Sequence, residues 1–282
     1  MTVEHGSESY LDAFGDHLGR LPNPPRRLLK LCSILGFLGL WWVFVDVGFL
    51  GFGLLPTPLE TLQALFEYLA GQPVTRGGAT LYLHSYYTLY RVTLGIGLAI
   101  VLAIPLGLLI GWSDLARRYV YPAFELLRPI PPVAWVPIAL VAFSSTLVSI
   151  VWVVFIGAFF PLLLNTIDGV QSIEPGYVRA VESLGGSDWD LFRHVIVPAS
   201  IPSIVTGTMV SIGIGWIAVV AAEMLSGNYG VGYMTYQAYR LMQTRTVIVG
   251  IITLGTFGAL SSILVARIGS RLTAWNTEGG AQ

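Results

Sequence analysis

Long apolar runs alternate with short polar, turn-marked stretches along this chain, and the runs recur about six times. They lie at 28–50, 84–112, 119–143, 146–166, 200–225 and 247–265. A hydrocarbon core about 30 Å thick needs roughly 20 apolar residues in helical form. The pattern therefore predicts an all-α integral membrane bundle of about six spans. The first run starts too far from Met1, and is too long, for a secretory signal, so it is expected to stay in the membrane. Trp41, Trp42 and Phe44 are expected at its interface. Asp46 is read as interfacial or, alternatively, as a pathway acid.

Several runs carry internal marks. Gly95, Gly97, Gly107 and Gly111 are expected to thin one face of the second span for close helix contact, and Gly207, Gly213 and Gly215 to do so in the fifth. The third run should be broken, because Pro129, Pro131 and Pro132 do not fit an unkinked helix. Interrupted backbone at membrane depth survives only when buried in protein or lining a wet cavity. Arg128 and Glu125 flank the break; they are read either as a pathway or gate feature or as a structural pair. Arg128, Pro131 and Trp135 are path candidates there. Glu223, near the end of the fifth run, is read as a lone interfacial carboxylate or as a further path residue.

Between the spans, 58–69 predicts a short amphipathic helix. Thr57 caps it, Pro58 occupies its first turn, and Leu59, Leu62, Leu65 and Phe66 form a stripe that packs on the spans or lies in the interface. Residues 113–118 read as a polar loop. Residues 228–244 are polar and aromatic, and hold either an outer docking helix for a delivery protein or an interfacial belt.

The most structured polar stretch runs from 173 to 202, between the fourth and fifth spans. Pro175 suits a first helical turn, Tyr177, Val181 and Leu184 share one face, and Gly185-Gly186 stop the helix. Ser187 caps a second helix with Asp188 and Asp190 in its first turn. Trp189, Phe192 and Ile196 line that helix, and Pro198 ends it or opens the next span. The product is a helical elbow at the membrane surface with an apolar side and a charged side.

Composition agrees with a membrane protein: 54% of residues are hydrophobic and 11% charged, against about 25% charged in soluble domains. Mean hydropathy is +0.71. The net charge of −1 gives no hint of nucleic acid. Cys32 is the sole cysteine, so no internal disulfide can form. Lys30 is the sole lysine, and no glycine-rich phosphate loop precedes it, so the chain lacks a nucleotide cradle of its own. His5, His17, His84 and His194 are scattered without metal-ligand spacing. No serine nucleophile elbow or kinase signature occurs, so an intrinsic enzyme is not expected.

Basic residues orient the chain. Arg20, Arg26, Arg27, Lys30, Arg117, Arg118, Arg179, Arg193, Arg267 and Arg271 fall on the side of both termini. Arg76, Arg240 and Arg245, with Arg91 nearby, fall opposite. The excess predicts cytoplasmic termini and a cytoplasmic elbow.

The elbow resembles the cytoplasmic loop motif of permease subunits of binding-protein-dependent ABC importers. That motif is Glu-Ala-Ala, three residues, Gly, nine residues, then Ile, any residue, Leu-Pro. Here Arg179-Ala180-Val181 stands at the triplet, Gly185 at the glycine, Val195 at the isoleucine and Val197-Pro198 at the Leu-Pro. Arg179 departs from the family's acid. The run from Arg128 through Pro131 and Pro132 to Trp135, and Ala221-Ala222-Glu223-Met224-Leu225, resemble the branch that imports nitrate, bicarbonate, sulfonates and taurine. The resemblance implies a MetI-like permease core at 83–271 with its coupling elbow at 173–198. Residues 28–82 hold the first span and outer amphipathic helix, and polar tails occupy 1–27 and 272–282. It implies ATPase contacts through Tyr177, Arg179, Ala180, Val181, Glu182, Ser183, Leu184, Gly185, Asp188, Trp189 and Leu191. It further implies separate ABC ATPase subunits that bind ATP and Mg, a substrate-binding protein, surrounding lipid and a second permease copy, giving a homodimer. The inner (plasma) membrane of a prokaryote is the location that the resemblance implies. No cofactor is expected on this chain. The rival classes are a self-contained secondary transporter or channel, and a membrane scaffold.

Overall fold

The computed structural model describes residues 26–48, 53–74 and 78–273. The polar tails at 1–25 and 274–282, the end of the first apolar run and the loop tip holding Arg76 lie outside them. The chain divides into two units, 1–59 and 60–282. In the first, α1 (Arg26–Val47) is a single apolar helix, with Cys32 exposed on it.

The second unit is built from helices. They are α2 (Pro58–Leu69), α3 (Leu81–Trp112), α4 (Asp114–Leu127), α5 (Val136–Ala142), α6 (Thr146–Gln171), α7 (Pro175–Ser183), α8 (Asp188–Leu191), α9 (Val197–Ser226), α10 (Val231–Arg240) and α11 (Thr244–Leu272). Five helices among the described residues are long and apolar enough to span a bilayer, or six if the bent third run counts as one. That run is broken as expected: α4 and the segment Pro132–Ala142 meet at 85°. The chain turns helical earlier than expected, at Asp114. Ser113 accepts a bond from the amide of Ala116 and Arg117 pairs with Asp114 at 2.7 Å, so the expected loop at 113–118 is a capped first turn.

Helix α6 forms the centre, with α3 on one side and α9 on the other. Ile150, Val153, Val154, Leu162 and Leu163 are fully buried and meet Val92, Ala99 and Ala103 of α3 and Ile212 and Val219 of α9. Small residues set the spacing. A Cβ on Gly95 would lie 2.5 Å from Val154, on Gly107 2.7 Å from Thr166 and on Gly111 2.7 Å from Val170. On the other side, Gly207 abuts Asn165, Gly169 abuts Ser203 and Gly215 abuts Ile96. Gly97 and Gly213 depart from expectation, with nothing within 4 Å of a Cβ. Each stands two residues from a contact glycine, about 200° round the helix, and so points away. Interhelical hydrogen bonds reinforce the contacts: Ser211 Oγ donates to Ala158 O (2.7 Å) and Trp216 Nε1 to Ser261 Oγ (2.9 Å).

The α2 stripe divides between its two expected placements: Leu65 packs on the core, and Leu59, Leu62 and Phe66 are exposed. Thr61 and Ala64 are the buried residues of the helix. Ala64 fits against Val74, Leu81 and Val231, and the exposed part of the stripe is left for the interface.

The glycine contacts yield a paired test. Gly107→Val should overpack the α3–α6 contact and cost about 1–3 kcal/mol, read as a lowered thermal midpoint in nanodiscs. Gly97→Val, on the open face, should leave that midpoint unchanged.

Candidate functional site

The elbow is shaped by local signals. Pro175 sits in the first turn of α7, where a missing N–H costs nothing. Gly185 has φ +76°, the left-handed region that favours glycine. The amide of Gly185 donates to Glu182 O and that of Gly186 to Val181 O, both at 3.0 Å, which closes α7 with a two-bond C-terminal lock. A Cβ at Gly185 would meet nothing within 4 Å, so the constraint there is the backbone angle. The crowded position is Gly186, whose Cβ would lie 2.5 Å from Val181.

Ser187 then starts α8 with a reciprocal cap. Its Oγ accepts from the amide of Asp190 (3.2 Å), and Asp190 Oδ2 accepts from the amide (3.0 Å) and hydroxyl (2.5 Å) of Ser187. A wide π turn, Phe192–Ile196, joins α8 to α9. Pro198 therefore opens the span rather than ending the elbow.

The elbow is rooted on one side and bare on the other. Ile196 is buried with Leu108 and Val170, and Ile173, Leu191 and Phe192 pack around them. Phe192 sits between Trp112 (5.0 Å between ring centres) and Trp189 (5.7 Å). The opposite face presents Tyr177 at 61% exposure, Leu184 at 89% and Trp189 at 62%. Arg179, Ala180, Glu182, Ser183 and Asp188 are exposed on the same two helices, and Val181 is half-buried. This arrangement is an exposed apolar surface joined to the core through α3, α6 and α9.

The break at Arg128–Pro131 borders a cavity of about 420 Å³. Arg128, Pro132, Asn165 and Asp168 line it. Among the described residues Arg128 makes no ion pair, so the expected alternative of an Arg128–Glu125 pair is not formed. Pro131 is exposed beside the cavity, and Trp135 is half-buried with its Nε1 lacking a hydrogen-bond partner.

Glu223 is placed elsewhere. It is fully buried and pairs with Arg91 at 2.7 Å, which corrects its reading as a lone carboxylate. Thr88 and the amide of Gly232 also donate to it. Sequence reading gave Thr88 and His84 no role at a site and used Arg91, near the start of the second span, only to orient the chain. The available signal was their spacing: polar residues at 84, 88 and 91 make one stripe along an apolar helix, and such residues in spans face partners rather than lipid.

The chain matches the family model described as "Binding-protein-dependent transport system inner membrane component" over residues 88–274. It is 38% identical over 218 residues to the nitrate import permease protein NrtB of Leptolyngbya laminosa, covering 76% of this chain and 78% of that one. It is 36% identical over 244 residues to the bicarbonate transport system permease protein CmpB of Synechococcus elongatus, covering 85% and 87%. With the taurine transport system permease protein TauC of Escherichia coli it shares 30% over 259 residues, covering 92% and 94%. Among solved structures, it resembles a chain of the MetNI methionine ABC transporter in an inward-facing conformation, with a TM-score of 0.57 at 19% identity. That match covers 67% of this chain and 94% of the other. A chain of an amino acid ABC transporter with histidines gives a TM-score of 0.56 at 14% identity, covering 76% and 97%.

The cap on α8 is directly testable. Ser187→Ala should cost about 1 kcal/mol of local helix stability, seen as faster amide hydrogen exchange at Asp190 and Leu191 with no change in α6.

Proposed function

The chain belongs to the family of binding-protein-dependent transport system inner membrane components, and we propose that it is the permease subunit of an ATP-driven importer for a small anion or organic acid. The substrate type is that of nitrate, bicarbonate, sulfonate or taurine. Curated relatives carry such names, and Arg128 supplies an unpaired cation at the break cavity.

The observation that carries the reading is the elbow. Tyr177, Leu184 and Trp189 are large apolar side chains left exposed on a doubly locked, rooted support. Apolar anchors on a rigid frame are what a protein partner buries at the centre of an interface. Separate ATPase subunits, one for each permease copy of a homodimer, are the proposed partner, and ATP and Mg sit on them. The elbow faces the cytoplasm with both termini, as the arginine distribution indicates. Closure of the ATPases on ATP moves the elbow, and the elbow moves α9 and α3 as rigid bodies. The path then passes the Arg128–Pro131 break, Trp135 and the cavity beside them, and opens outward to a loaded substrate-binding protein.

Leu184→Glu places a charge at the most exposed anchor without touching the core. It should weaken ATPase binding by about 2 kcal/mol, roughly 30-fold, measured by co-purification from inserted membranes. Uptake by vesicles should fall in step. Undiminished ATPase binding, or uptake in vesicles that lack any ATPase, contradicts the reading and favours a self-contained transporter.

A further inference from the structure

At the end of α9 opposite the elbow lies a sealed polar cluster. Glu223 accepts from Arg91 Nη1 (2.7 Å), from Thr88 Oγ1 (2.9 and 3.0 Å) and from the amide of Gly232 (3.0 Å). Thr88 Oγ1 in turn accepts from the amide of Val231 (2.8 Å), and His84 Nδ1 from the amide of Gly230 (3.1 Å). Arg91 Nη1 also donates to Tyr229 O (2.6 Å). The first amides of a helix have no partner within it. Here Gly230, Val231 and Gly232, which open α10, each find one on a side chain of α3 or α9. The negative charge of Glu223 also suits the positive end of the α10 dipole. Gly230 has φ +127°, and a Cβ there would overlap the Glu223 carboxylate. Around the cluster, Tyr87 stacks on Tyr229 at 5.2 Å and Arg91 lies over Tyr87 at 5.5 Å.

The two helices that hold this cluster are the two that hold the elbow. Helix α9 continues from the π turn at Phe192–Ile196 to Glu223, and α3 runs from His84, Thr88 and Arg91 to Trp112, whose ring meets Phe192. Each is an unbroken helix roughly 45 Å long. Beyond the cluster, α10 ends in exposed Tyr239, Leu241 and Met242.

We infer that Arg91 and Glu223, with Thr88, are positioning residues of the transport cycle: they clasp Tyr229 and the start of α10 to α3 and α9, so that a substrate-binding protein docking on α10 drives the same helices that carry the elbow. The inference rests on the importer reading above. Coupling needs a physical element that both sites bias, and the pair α3–α9 is that element. An ion pair used only to hold the fold would not single out the start of α10, whose three leading amides it and its neighbours satisfy.

The test uses the full complex of permease, ATPase and substrate-binding protein in nanodiscs, comparing wild type with Glu223→Gln and with Thr88→Val. The second variant keeps the ion pair and removes the bonds from Thr88 to Glu223 and from Val231 to Thr88. Assembly with the ATPase and the basal hydrolysis rate should stay near wild type in both. Stimulation of hydrolysis by loaded binding protein should fall about tenfold, within the usual range of allosteric coupling. Full stimulation in the assembled variants overturns the inference, as does an equal fall of basal and stimulated rates, which is what simple damage to the fold gives. If Glu223→Gln does not assemble, Thr88→Val decides by the same criteria. A wild-type chain that binds no ATPase sinks the importer reading itself, and the clasp falls with it.

Discussion

Helices in a bilayer gain nothing from expelling water when they touch, because lipid tails are as apolar as leucine. They associate only where close fit, or a polar bond across the contact, outweighs contact with lipid. In this chain the close fit is made by backbone. Gly95, Gly107 and Gly111 let α3 settle on Val154, Thr166 and Val170 of α6, and Gly207 and Gly169 do the same between α6 and α9. Two polar bonds, from Ser211 and Trp216, tie α9 to its neighbours on either side. Packed interiors are stiff and transmit displacement rather than absorbing it. The three helices therefore move together, and whatever is fastened to their ends moves with them.

Two things are fastened there. At one end the elbow is locked by Gly185, Gly186 and the Ser187–Asp190 cap, and rooted through Ile196 and the Trp112–Phe192 contact. At the other end the Arg91–Glu223 clasp gathers the leading amides of α10. On the proposed importer reading, force enters at one end of a stiff element and leaves at the other. The broken third run lies off this axis. Its 85° bend leaves a cavity beside Arg128 and Asp168, and irregular backbone at membrane depth is tolerated where it is buried in protein or lines a wet cavity.

Much of this was readable from residues alone, wherever the determining signal is local. Run length and composition mark spans without any knowledge of neighbours. Pro175, Gly185-Gly186 and Ser187 act through their own backbone angles and missing or added hydrogen bonds, so the elbow's turns were legible in detail. The failures share the opposite character. Which glycines touch a neighbour depends on the rotation of each helix, and Gly97 and Gly213 face away although their near neighbours do not. Glu223 looked solitary because its partner stands 132 residues earlier in the chain. Bulky residues marked a stripe on α2, yet which of them pack depends on the space beside Val74 and Leu81, which takes Ala64 and Leu65 and leaves Leu62 and Phe66 exposed. The start of α4 is the exception: Ser113 and Asp114 announced a helix locally, and the polarity of the stretch outweighed that signal in the reading.

The central claim is that the elbow and the glycine-packed helices form one rigid body while the importer cycles. Paired spin labels at Glu174, an exposed elbow residue outside the proposed ATPase contacts, and Leu102 on the exposed face of α3 measure it directly, with one labelled protomer per assembled complex. The account predicts the same label-to-label distance in the nucleotide-free and ATP-trapped complexes. A distance that changes between those states contradicts it, because the elbow would then be swinging on a hinge rather than carrying the helices with it.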